Sequence, residues 1–374
     1  MSHQDRSIAI LRRRYTPFGG AERTAVELVE RLGGRGIAVT IVASFWDAVD
    51  ASAEWIKVPS PAKPSWLGAL LFARRCRRKD IVDRFDTVIS LERTVRQTIY
   101  RAGDGCHRSW LRRRAQVDGF WRGKFLPLFR PFNWAMLWLE RQVFDPANTG
   151  RIIANSEMVR QDMVREYGYP ERRISVIRNG VSGIRFSSRI RADDRRWVRT
   201  SHGLENGARI ILFLGSGFHR KGLKFAIEVV SKLDPECILM VVGRGRTASY
   251  ERLAVQSGVG DRVRFLGPVS DPDLYINGAD LMLLPTIYDP ASNACLESLA
   301  AGVPVVTTIS NGASELIEHG VSGWVVDEPG NTVEMVKGCN LFLENGVGHF
   351  RNPVLEWDET IDRLVEFIRE CGTL

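Results

Sequence analysis

The sequence lacks a membrane-spanning segment and a secretory signal, and it lacks the cysteine pairs that are typical of disulfide-bonded or metal-binding proteins. No uninterrupted apolar run approaches the roughly 20 residues that a spanning helix needs. The first apolar run, Ile8–Leu11, is followed at once by Arg12–Arg14, so it does not resemble a secretory signal. The six cysteines are scattered without a C-x-x-C pair, which favours free thiols in a reducing compartment. We therefore expect a cytoplasmic protein that is soluble or sits on a membrane surface.

Repeats, low-complexity tracts and metal-binding clusters are missing as well. There is no H-E-x-x-H motif and no D-x-D motif on a strand end, so we expect no bound metal. What is present is an ordinary globular composition, 44% hydrophobic and 26% charged. The 374 residues are enough for two domains. The net charge of +8 suits an anionic partner, whether nucleic acid, acidic lipid or a phosphorylated ligand.

Short β-rich runs alternate with helical patterns along the whole chain, which predicts an α/β protein with parallel sheets. The strand candidates are Ser7–Leu11, Ile37–Ala43, Thr87–Leu91, Gln97–Ala102, Arg151–Ala154, Ile174–Ile177, Ile210–Leu214, Ile238–Val242, Val263–Leu266, Leu281–Leu284, Val305–Thr307 and Trp324–Val326. The second half is regular enough to predict a complete Rossmann-type domain. The arginine-rich stretch Ser182–Gly207 shows no clean periodicity and is our candidate for the linker.

Two glycine-rich turns follow predicted strands. Pro17–Gly20 precedes a helix, where paired glycines let the backbone approach a ligand; a plain tight turn explains them equally well. Leu214–Gly222 fits neither a G-x-G-x-x-G fingerprint nor a Walker A loop. It places Arg220 and Lys221 at the start of a helix, which favours a diphosphate site over a solvated charge pair.

A third segment, Tyr288–Glu297, joins a buried strand to a helix. Asp289 lies before the helix and Glu297 lies inside it, so both carboxylates could face a ligand at the carboxyl ends of the strands. There they would accept hydrogen bonds from sugar and ribose hydroxyls. An acid favoured by the helix dipole, together with a solvent-facing glutamate, explains the pattern as well. The residues alone leave both interpretations open.

These motifs, in this order and at these distances, resemble a known family. The run from Gly215 to Asp327 resembles the donor domain of retaining GT-B glycosyltransferases of family 4. Its G-S-G-F-H-R-K-G loop matches that family's phosphate loop, and D-x7-E followed by S-L-A-A-G-V-P-V-V matches its E-x7-E signature. The opening Arg14–Arg23 is similar to that of the lipopolysaccharide core glucosyltransferase I group. The similarity extends over nearly the whole chain.

The resemblance implies a GT-B fold, in which two Rossmann-like domains face a central cleft. Residues 1–181 would form the acceptor-binding domain and residues 182–356 the donor-binding domain, with residues 357–374 returning to the first as a helix. A nucleotide sugar would be the donor substrate, with no separate cofactor. The residues implied in donor binding are Gly19, Gly20, Arg185, Gly217, Arg220, Lys221, Asn293, Ala294 and Glu297.

The resemblance also implies roles and a reaction. Arg220 and Lys221 would neutralise the diphosphate, Glu297 would bind the ribose, and Asp289 the transferred sugar. The reaction would retain the anomeric configuration without a divalent metal and move glucose from UDP-glucose onto a lipid-linked glycan such as the lipopolysaccharide inner core.

Two positions depart from the family pattern: Asp289 stands where the family usually has Glu, and Thr24 where the glucosyltransferase group has an acid near the acceptor. A mannosyl- or other hexosyltransferase of the same family, acting in cell-surface polysaccharide synthesis, is therefore the alternative. A nucleotide-sugar 2-epimerase, which shares the architecture, is a further one.

Asp104 completes the predicted catalytic set of Asp104, Arg220, Lys221, Asp289 and Glu297. It follows the strand Gln97–Ala102 and would orient the acceptor hydroxyl. His107 is a secondary candidate, although a lone histidine is more often structural.

Residues 108–143 combine cations with aromatic anchors. Between Arg108 and Arg130, seven basic residues stand against one acid, Asp118, and alternate with tryptophan and phenylalanine. A helical stripe follows, formed by Phe132, Ala135, Met136, Leu139 and Val143. This composition suits an anionic bilayer surface, which a lipid-linked acceptor would require.

We therefore expect peripheral association with the inner face of the plasma membrane. A basic loop over a core helix ranks second, and binding of single-stranded nucleic acid third. Because no helix-turn-helix or RNP-type motif is present, we expect no nucleic-acid partner. A second basic cluster, Arg74–Lys79, could add to the same face.

Overall fold

The computed structural model describes residues 7–15, 20–46, 54–119, 121, 123, 129–186, 188–204, 207–345 and 350–371. The chain divides into two compact units, and each is described by itself. Unit 1 contains the residues up to Gly180 together with those from Trp357 onward, and unit 2 contains Val181–Glu356.

Unit 1 is built on a seven-stranded parallel sheet with the order β5-β3-β1-β6-β7-β8-β9. Its strands are β1 (Ser7–Leu11), β3 (Ala38–Ala43), β5 (Glu54–Lys57), β6 (Thr87–Ser90), β7 (Gln97–Ala102), β8 (Thr149–Ala154) and β9 (Ile174–Val176). A separate two-residue pair joins β2 (Arg14–Tyr15) to β4 (Phe45–Trp46). The chain builds outward from β1 on one side and then continues at β6 on the other, which is the doubly wound topology.

The helices of unit 1 pack against apolar residues on both faces of this sheet. They are α1 (Gly20–Gly33), α2 (Ser65–Cys76), α3 (Lys79–Val82), α4 (His107–Gly119), α5 (Pro131–Val143), α6 (Glu157–Tyr167) and, from the far end of the chain, α14 (Trp357–Glu370). Ile361 and Leu364 of α14 lie in one buried cluster with Ile8 and Ile10 of β1. Among the described helices of the whole chain, none is both long and apolar enough to cross a bilayer.

Unit 2 has a six-stranded parallel sheet with the order β12-β11-β10-β13-β14-β15. The strands are β10 (Arg209–Leu214), β11 (Cys237–Val242), β12 (Val263–Gly267), β13 (Leu281–Leu284), β14 (Val305–Thr308) and β15 (Gly323–Val326). The helices are α7 (Ser188–Ser201), α8 (Phe218–Lys221), α9 (Leu223–Val230), α10 (Ala248–Gln256), α11 (Pro272–Gly278), α12 (Asn293–Ala300) and α13 (Thr332–Asn345). This strand order is that of the Rossmann fold, as predicted.

The stretch that we predicted as a linker is a helix instead. Within Ser182–Gly207, α7 packs on α11, and Val198 is fully buried against Gly278. Arg195 and Arg199 both reach the carboxylate of Asp280, Arg199 at 2.8 Å. The arginines that hid the helical pattern are therefore part of what fixes the helix.

Replacing Asp280 by alanine tests this anchoring. The carboxylate also accepts a 2.7 Å hydrogen bond from the backbone N–H of Ile210, so three donors lose their acceptor at once. We expect the free energy of unfolding to fall by about 2–3 kcal/mol, measured by urea denaturation. Asp193→Ala is the matched control, because Asp193 faces Arg196 at 3.8 Å with both side chains largely exposed. It should change the free energy by no more than about 0.5 kcal/mol, and an equal loss in both variants would contradict the anchoring role.

Candidate active site

The candidate site of unit 2 lies where the winding of the sheet reverses. Strands β10 and β13 are hydrogen-bonded neighbours, although β11 and β12 intervene in sequence. The loops that follow the carboxyl ends of such a strand pair diverge and leave a crevice, which is where doubly wound sheets bind ligands. The loop after β10 carries Gly215–Lys221, and the loop after β13 carries Asp289.

Glycines shape the loop after β10. Gly215 has a φ of +143°, and a Cβ there would stand 3.0 Å from the Cε atom of Lys221. Gly217 has a φ of +76°, and no described atom lies within 4 Å of the place where its Cβ would be. The first glycine therefore makes room for the lysine side chain, and the second leaves the backbone open to close approach by a ligand.

A buried ion pair joins the two loops. The Nζ atom of Lys221 lies 2.6 Å from Oδ2 of Asp289, and the two side chains are 10% and 7% exposed. Lys221 also donates to the Ser292 hydroxyl at 3.2 Å, and Arg220 lies 3.7 Å from the same carboxylate oxygen. Burial by itself would raise the pKa of Asp289, but Lys221 and Arg220 hold that pKa below its ordinary value. Asp289 is therefore an ionised acceptor.

Asn311, which no sequence motif indicated, fixes the second loop. Its fully buried side chain accepts hydrogen bonds from the N–H groups of Ser292 and Ala313 and donates to Thr307 and to the sulfur of Cys295. The residues on either side of Asn311 bond to the backbone of Asp289. The N–H group of Asp289 donates to the carbonyl oxygen of Ser310, and the N–H group of Gly312 donates to the carbonyl oxygen of Asp289, at 2.9 Å each. Burial raises the pKa of Cys295 to about 11, so this thiol stays protonated and is not a nucleophile.

Arg185 lies close to Glu297, which is a residue of helix α12. Asn293 and Ala294 are the first two residues of α12, and Glu297 lies on its second turn, 9% exposed. Arg185 donates to Asp273 at 2.5 Å and lies 3.9 Å from Oε1 of Glu297. The first N–H groups of a helix have no acceptor within it, and they favour an anion.

The unit 2 residues that the sequence singled out are thus gathered around the start of α12. Three cations, two carboxylates, open glycine backbone and a helix start are groups that suit a sugar diphosphate. Within the described part of unit 2 this arrangement matches the set predicted from the motifs, and the individual roles stay predictions.

The unit 1 candidates lie at the carboxyl end of β7. Asp104 is 55% exposed, and its carboxylate lies 3.8 Å from Arg93. The ring of His107 lies 3.0 Å from the side-chain oxygen of Asn133 and packs edge-on against Phe132. Burial, followed by the charge of Arg93, lowers the pKa of His107. These contacts hold the ring in place, and a part for His107 in the reaction stays a prediction.

Glu140, which the sequence did not single out, organises this region. It is fully buried in α5 and accepts hydrogen bonds from the backbone N–H groups of His107 and Arg108, from Nε of Arg93 at 3.1 Å and from the Tyr167 hydroxyl at 2.5 Å. The carboxylate therefore caps the start of α4 and fixes the arginine that faces Asp104.

The first glycine turn is only partly described. Gly19 lies outside the described residues, and Gly20 is the first residue of α1. Thr24 lies one turn into that helix and is 4% exposed.

Two family models match the chain and together span most of it. The model for glycosyl transferases group 1 matches residues 194–354, in unit 2, and the model for glycosyltransferase family 4 matches residues 18–182. The chain belongs to glycosyltransferase family 4. The predicted family is thereby confirmed.

Curated and solved relatives of this glycosyltransferase agree with the assignment. The lipopolysaccharide glucosyltransferase WaaG of Escherichia coli K12 is 26% identical over 322 residues, which cover 84% of each chain. A crystal structure of WaaG superposes with a TM-score of 0.77 at 23% identity, covering 96% of this chain and 95% of that one. Anabaena Alr3699/HepE, solved in complex with UDP-glucose, has a TM-score of 0.70 at 17% identity, with 97% and 99% covered. The GT-B fold predicted from the sequence is confirmed.

Proposed function

We propose that this glycosyltransferase moves a hexose, glucose first among the candidates, from a UDP-linked donor onto a lipid-linked glycan such as the lipopolysaccharide inner core. The observation that carries the proposal is the buried Lys221–Asp289 pair, 2.6 Å apart beside the start of α12. It sets a cation for a diphosphate next to a carboxylate for sugar hydroxyls. The names of the relatives, a lipopolysaccharide glucosyltransferase and a protein solved with UDP-glucose, support the choice of donor and acceptor.

The cations would act on the leaving group. Breaking the bond between sugar and diphosphate develops negative charge on the departing phosphate. Lys221, Arg220 and the first N–H groups of α12 would stabilise that charge, and in a largely buried site each contributes more than it would in water. Because these groups supply positive charge, the proposed reaction runs without a divalent metal.

The carboxylates would hold the donor from the other side. Glu297 would accept hydrogen bonds from the ribose hydroxyls, and Asp289 from the hydroxyls of the transferred sugar. We propose retention of the anomeric configuration by attack on the same face. The acceptor oxygen bonds to the anomeric carbon as the bond to the diphosphate breaks, and its proton passes to the leaving phosphate oxygen.

Asp104 of unit 1 is the proposed contact for the acceptor hydroxyl. Its 55% exposure leaves the carboxylate accessible, and Arg93 at 3.8 Å keeps a positive charge beside it. We further propose that the enzyme works at the inner face of the plasma membrane, bound peripherally through residues 108–143. Trp121, Phe129 and Trp134 in that range are between 63% and 70% exposed.

A donor panel tests the proposed reaction. Calorimetry with UDP-, GDP- and ADP-linked sugars should show binding of the UDP sugar, because the relative with a bound donor holds UDP-glucose. With a lipid-linked core glycan, nuclear magnetic resonance should show a new α-glycosidic product from the α-linked donor, also in the presence of a chelator.

Two other outcomes would redirect the proposal. An epimerised nucleotide sugar, formed from donor alone, would mean that the protein is not a transferase. Preference for a GDP-linked sugar would favour the mannosyltransferase alternative.

A further inference from the structure

The arginines of α4 are already paired within unit 1. Arg112 lies 2.9 Å from Glu166, Arg113 approaches Asp162 at 3.9 Å, and Arg114 lies 2.9 Å from Asp118. The positive charge that the sequence concentrates around residues 108–130 is therefore balanced, in these three cases, by acids of α4 and α6. These three arginines are therefore less available to an external anion than their number in the sequence suggests.

The end of α2 provides two further cations. Arg74 and Arg77 are exposed, and within the described part of the chain neither forms an ion pair with an acid. They lie three residues apart, so their side chains project from the same side of the chain as α2 ends. This cluster could not be placed from the sequence, because nothing in the pattern showed which helix it faced.

An apolar groove begins beside these arginines. It has a volume of about 1300 Å³ and lies between α2 and α5, with Trp66 and Leu70 on one side, Trp134 and Trp138 on the other, and Arg74 and Arg77 at one end. The apolar stripe that we predicted along α5 as part of a membrane-facing segment is for the most part turned inward. Ala135, Met136, Leu139 and Val143 are buried, and only Phe132 of these five residues is exposed, at 42%.

The face of α5 that remains open carries tryptophan. Trp134 is 63% exposed and Trp138 is 46% exposed. A groove with large aromatic walls on an exposed helix face marks a binding surface. Tryptophan, with an apolar body and one polar N–H group, is typical of the boundary between lipid and water.

We propose that this α2–α5 groove binds one anionic phospholipid of the bilayer, with an acyl chain between Trp66, Leu70, Trp134 and Trp138 and the headgroup phosphate on Arg74 and Arg77. The order of the lining along α2 matches such an amphiphile, because apolar residues occupy the first turns and arginines the last. A nucleic acid would place phosphates along the whole groove, where the walls are apolar. The proposed site names one lipid of the membrane surface at which the proposed function places the enzyme, and it rests on that proposed function.

Brominated lipids test the acyl-chain site directly. Vesicles of phosphatidylcholine, with or without phosphatidylglycerol, are mixed with the full-length protein, and phosphatidylglycerol brominated on its acyl chains serves as the quencher of tryptophan fluorescence. The wild-type protein should bind vesicles that contain phosphatidylglycerol and be quenched. Trp134→Ser/Trp138→Ser should lose most of the quenching and bind at least tenfold more weakly. Trp197→Ser, which removes a 48% exposed tryptophan of unit 2, should behave as wild type.

The headgroup contact has its own variant. Arg74→Ser/Arg77→Ser should weaken binding to phosphatidylglycerol vesicles by about 25-fold, about fivefold for each basic residue at the surface. Arg196→Ser/Arg252→Ser removes the same charge from exposed positions of unit 2 and should change binding less than twofold. Inorganic phosphate should not compete, because the acyl chain contributes to binding.

The contrary results are distinct. Unchanged quenching in the double tryptophan variant, equal losses in the two arginine pairs, or competition by phosphate would each overturn the groove as a lipid site. Transfer from UDP-glucose to a detergent-solubilised lipid-linked acceptor, in the absence of vesicles, tests glycosyl transfer separately, so its failure would count against the proposed function and not against the groove.

Discussion

Replacement of Lys221 by alanine is expected to lower kcat by about 10²–10³. The lysine is 10% exposed and ion-paired at 2.6 Å to Asp289, so its charge acts in a largely buried environment. A preorganised charge aimed at a developing anion contributes about this much to the rate, and it does so mainly in the transition state. We therefore expect a smaller change in KM than in kcat, measured with UDP-glucose and a lipid-linked acceptor.

The matched control is Lys224→Ala. Lys224 lies three residues further on, is 61% exposed and faces Glu228 at 3.6 Å. It should keep kcat within about twofold, because exposed pairs of this kind contribute little. A Lys221→Ala protein that melts as wild type does and turns over at the wild-type rate would remove the lysine from the mechanism. An equal loss in both variants would mean that the overall positive charge of the protein, and not the position of Lys221, supports turnover.

The ion pair also gives a dependence of stability on pH. The folded-state pKa of Asp289 lies below its ordinary value of about 3.9. Its ionised form therefore stabilises the fold above that ordinary value, and the contribution is lost as the pH falls through the lowered pKa. Without Lys221, burial acts on Asp289 with less compensation and its pKa should rise. The acid-induced drop in melting temperature should accordingly be smaller in Lys221→Ala, relative to the variant's own value near neutral pH.

Most strands of both sheets were predictable because each contains a short run of apolar, aromatic or β-branched residues. Ser7–Leu11, Gln97–Ala102 and Leu281–Leu284 were predicted with the bounds that the structure shows. The edge strand Glu54–Lys57 was not predicted, since three of its four residues are exposed and no apolar pattern marks it. The edge strands β9, β12 and β15 were predicted because apolar residues mark them, so the missing apolar pattern, and not the edge position alone, hid β5.

The parts that the sequence hid depend on partners far away in the chain. Helix α7 carries one fully buried valine, Val198, and its arginines bond to Asp280 and to the carbonyl oxygens of Ala301 and Gly302. Asn311 likewise acts through the loop that precedes α12. Such contacts have no local periodicity, so pattern reasoning treats the residues as polar surface. The site motifs were recognisable because glycine, cation and carboxylate positions are close together in sequence.

The net charge of residues 108–130 overstates the unpaired positive charge of this segment in the folded unit. Arg112 and Arg113 occur in a strongly basic segment, but Asp162 and Glu166 of α6 face them in the folded unit. The acids are about 50 residues away and were not counted with the segment. The arginines that line the apolar groove are at the end of α2, so the proposed lipid contact lies at the α2–α5 groove and not along the paired arginines of α4.

Replacement of Glu140 by alanine should cause the largest loss of stability in unit 1. The carboxylate is fully buried and compensates the charge of Arg93, which is itself 11% exposed. Removing it leaves a buried guanidinium and three further donors without an acceptor, which costs about 3–5 kcal/mol. Glu140→Gln should cost less, because the amide oxygen still accepts one or two of these bonds. Urea denaturation followed by circular dichroism measures both values.

Hydrogen exchange then separates loss of the cap from general destabilisation. The N–H groups of His107 and Arg108 donate to Glu140, so in Glu140→Gln these amides should exchange faster than those of the central strands β7 and β8. Glu157→Gln is the control: Glu157 pairs with Arg160 at 2.6 Å, but the side chain is 34% exposed, and the cost should be about 0.5 kcal/mol. If Glu140→Gln and Glu157→Gln lost equal stability, and the start of α4 kept its protection, the buried carboxylate would not be the anchor of this region. In that case the loop that presents Asp104 would be held by its own backbone hydrogen bonds and by Arg93, through the 2.8 Å hydrogen bond to the carbonyl oxygen of Gly105.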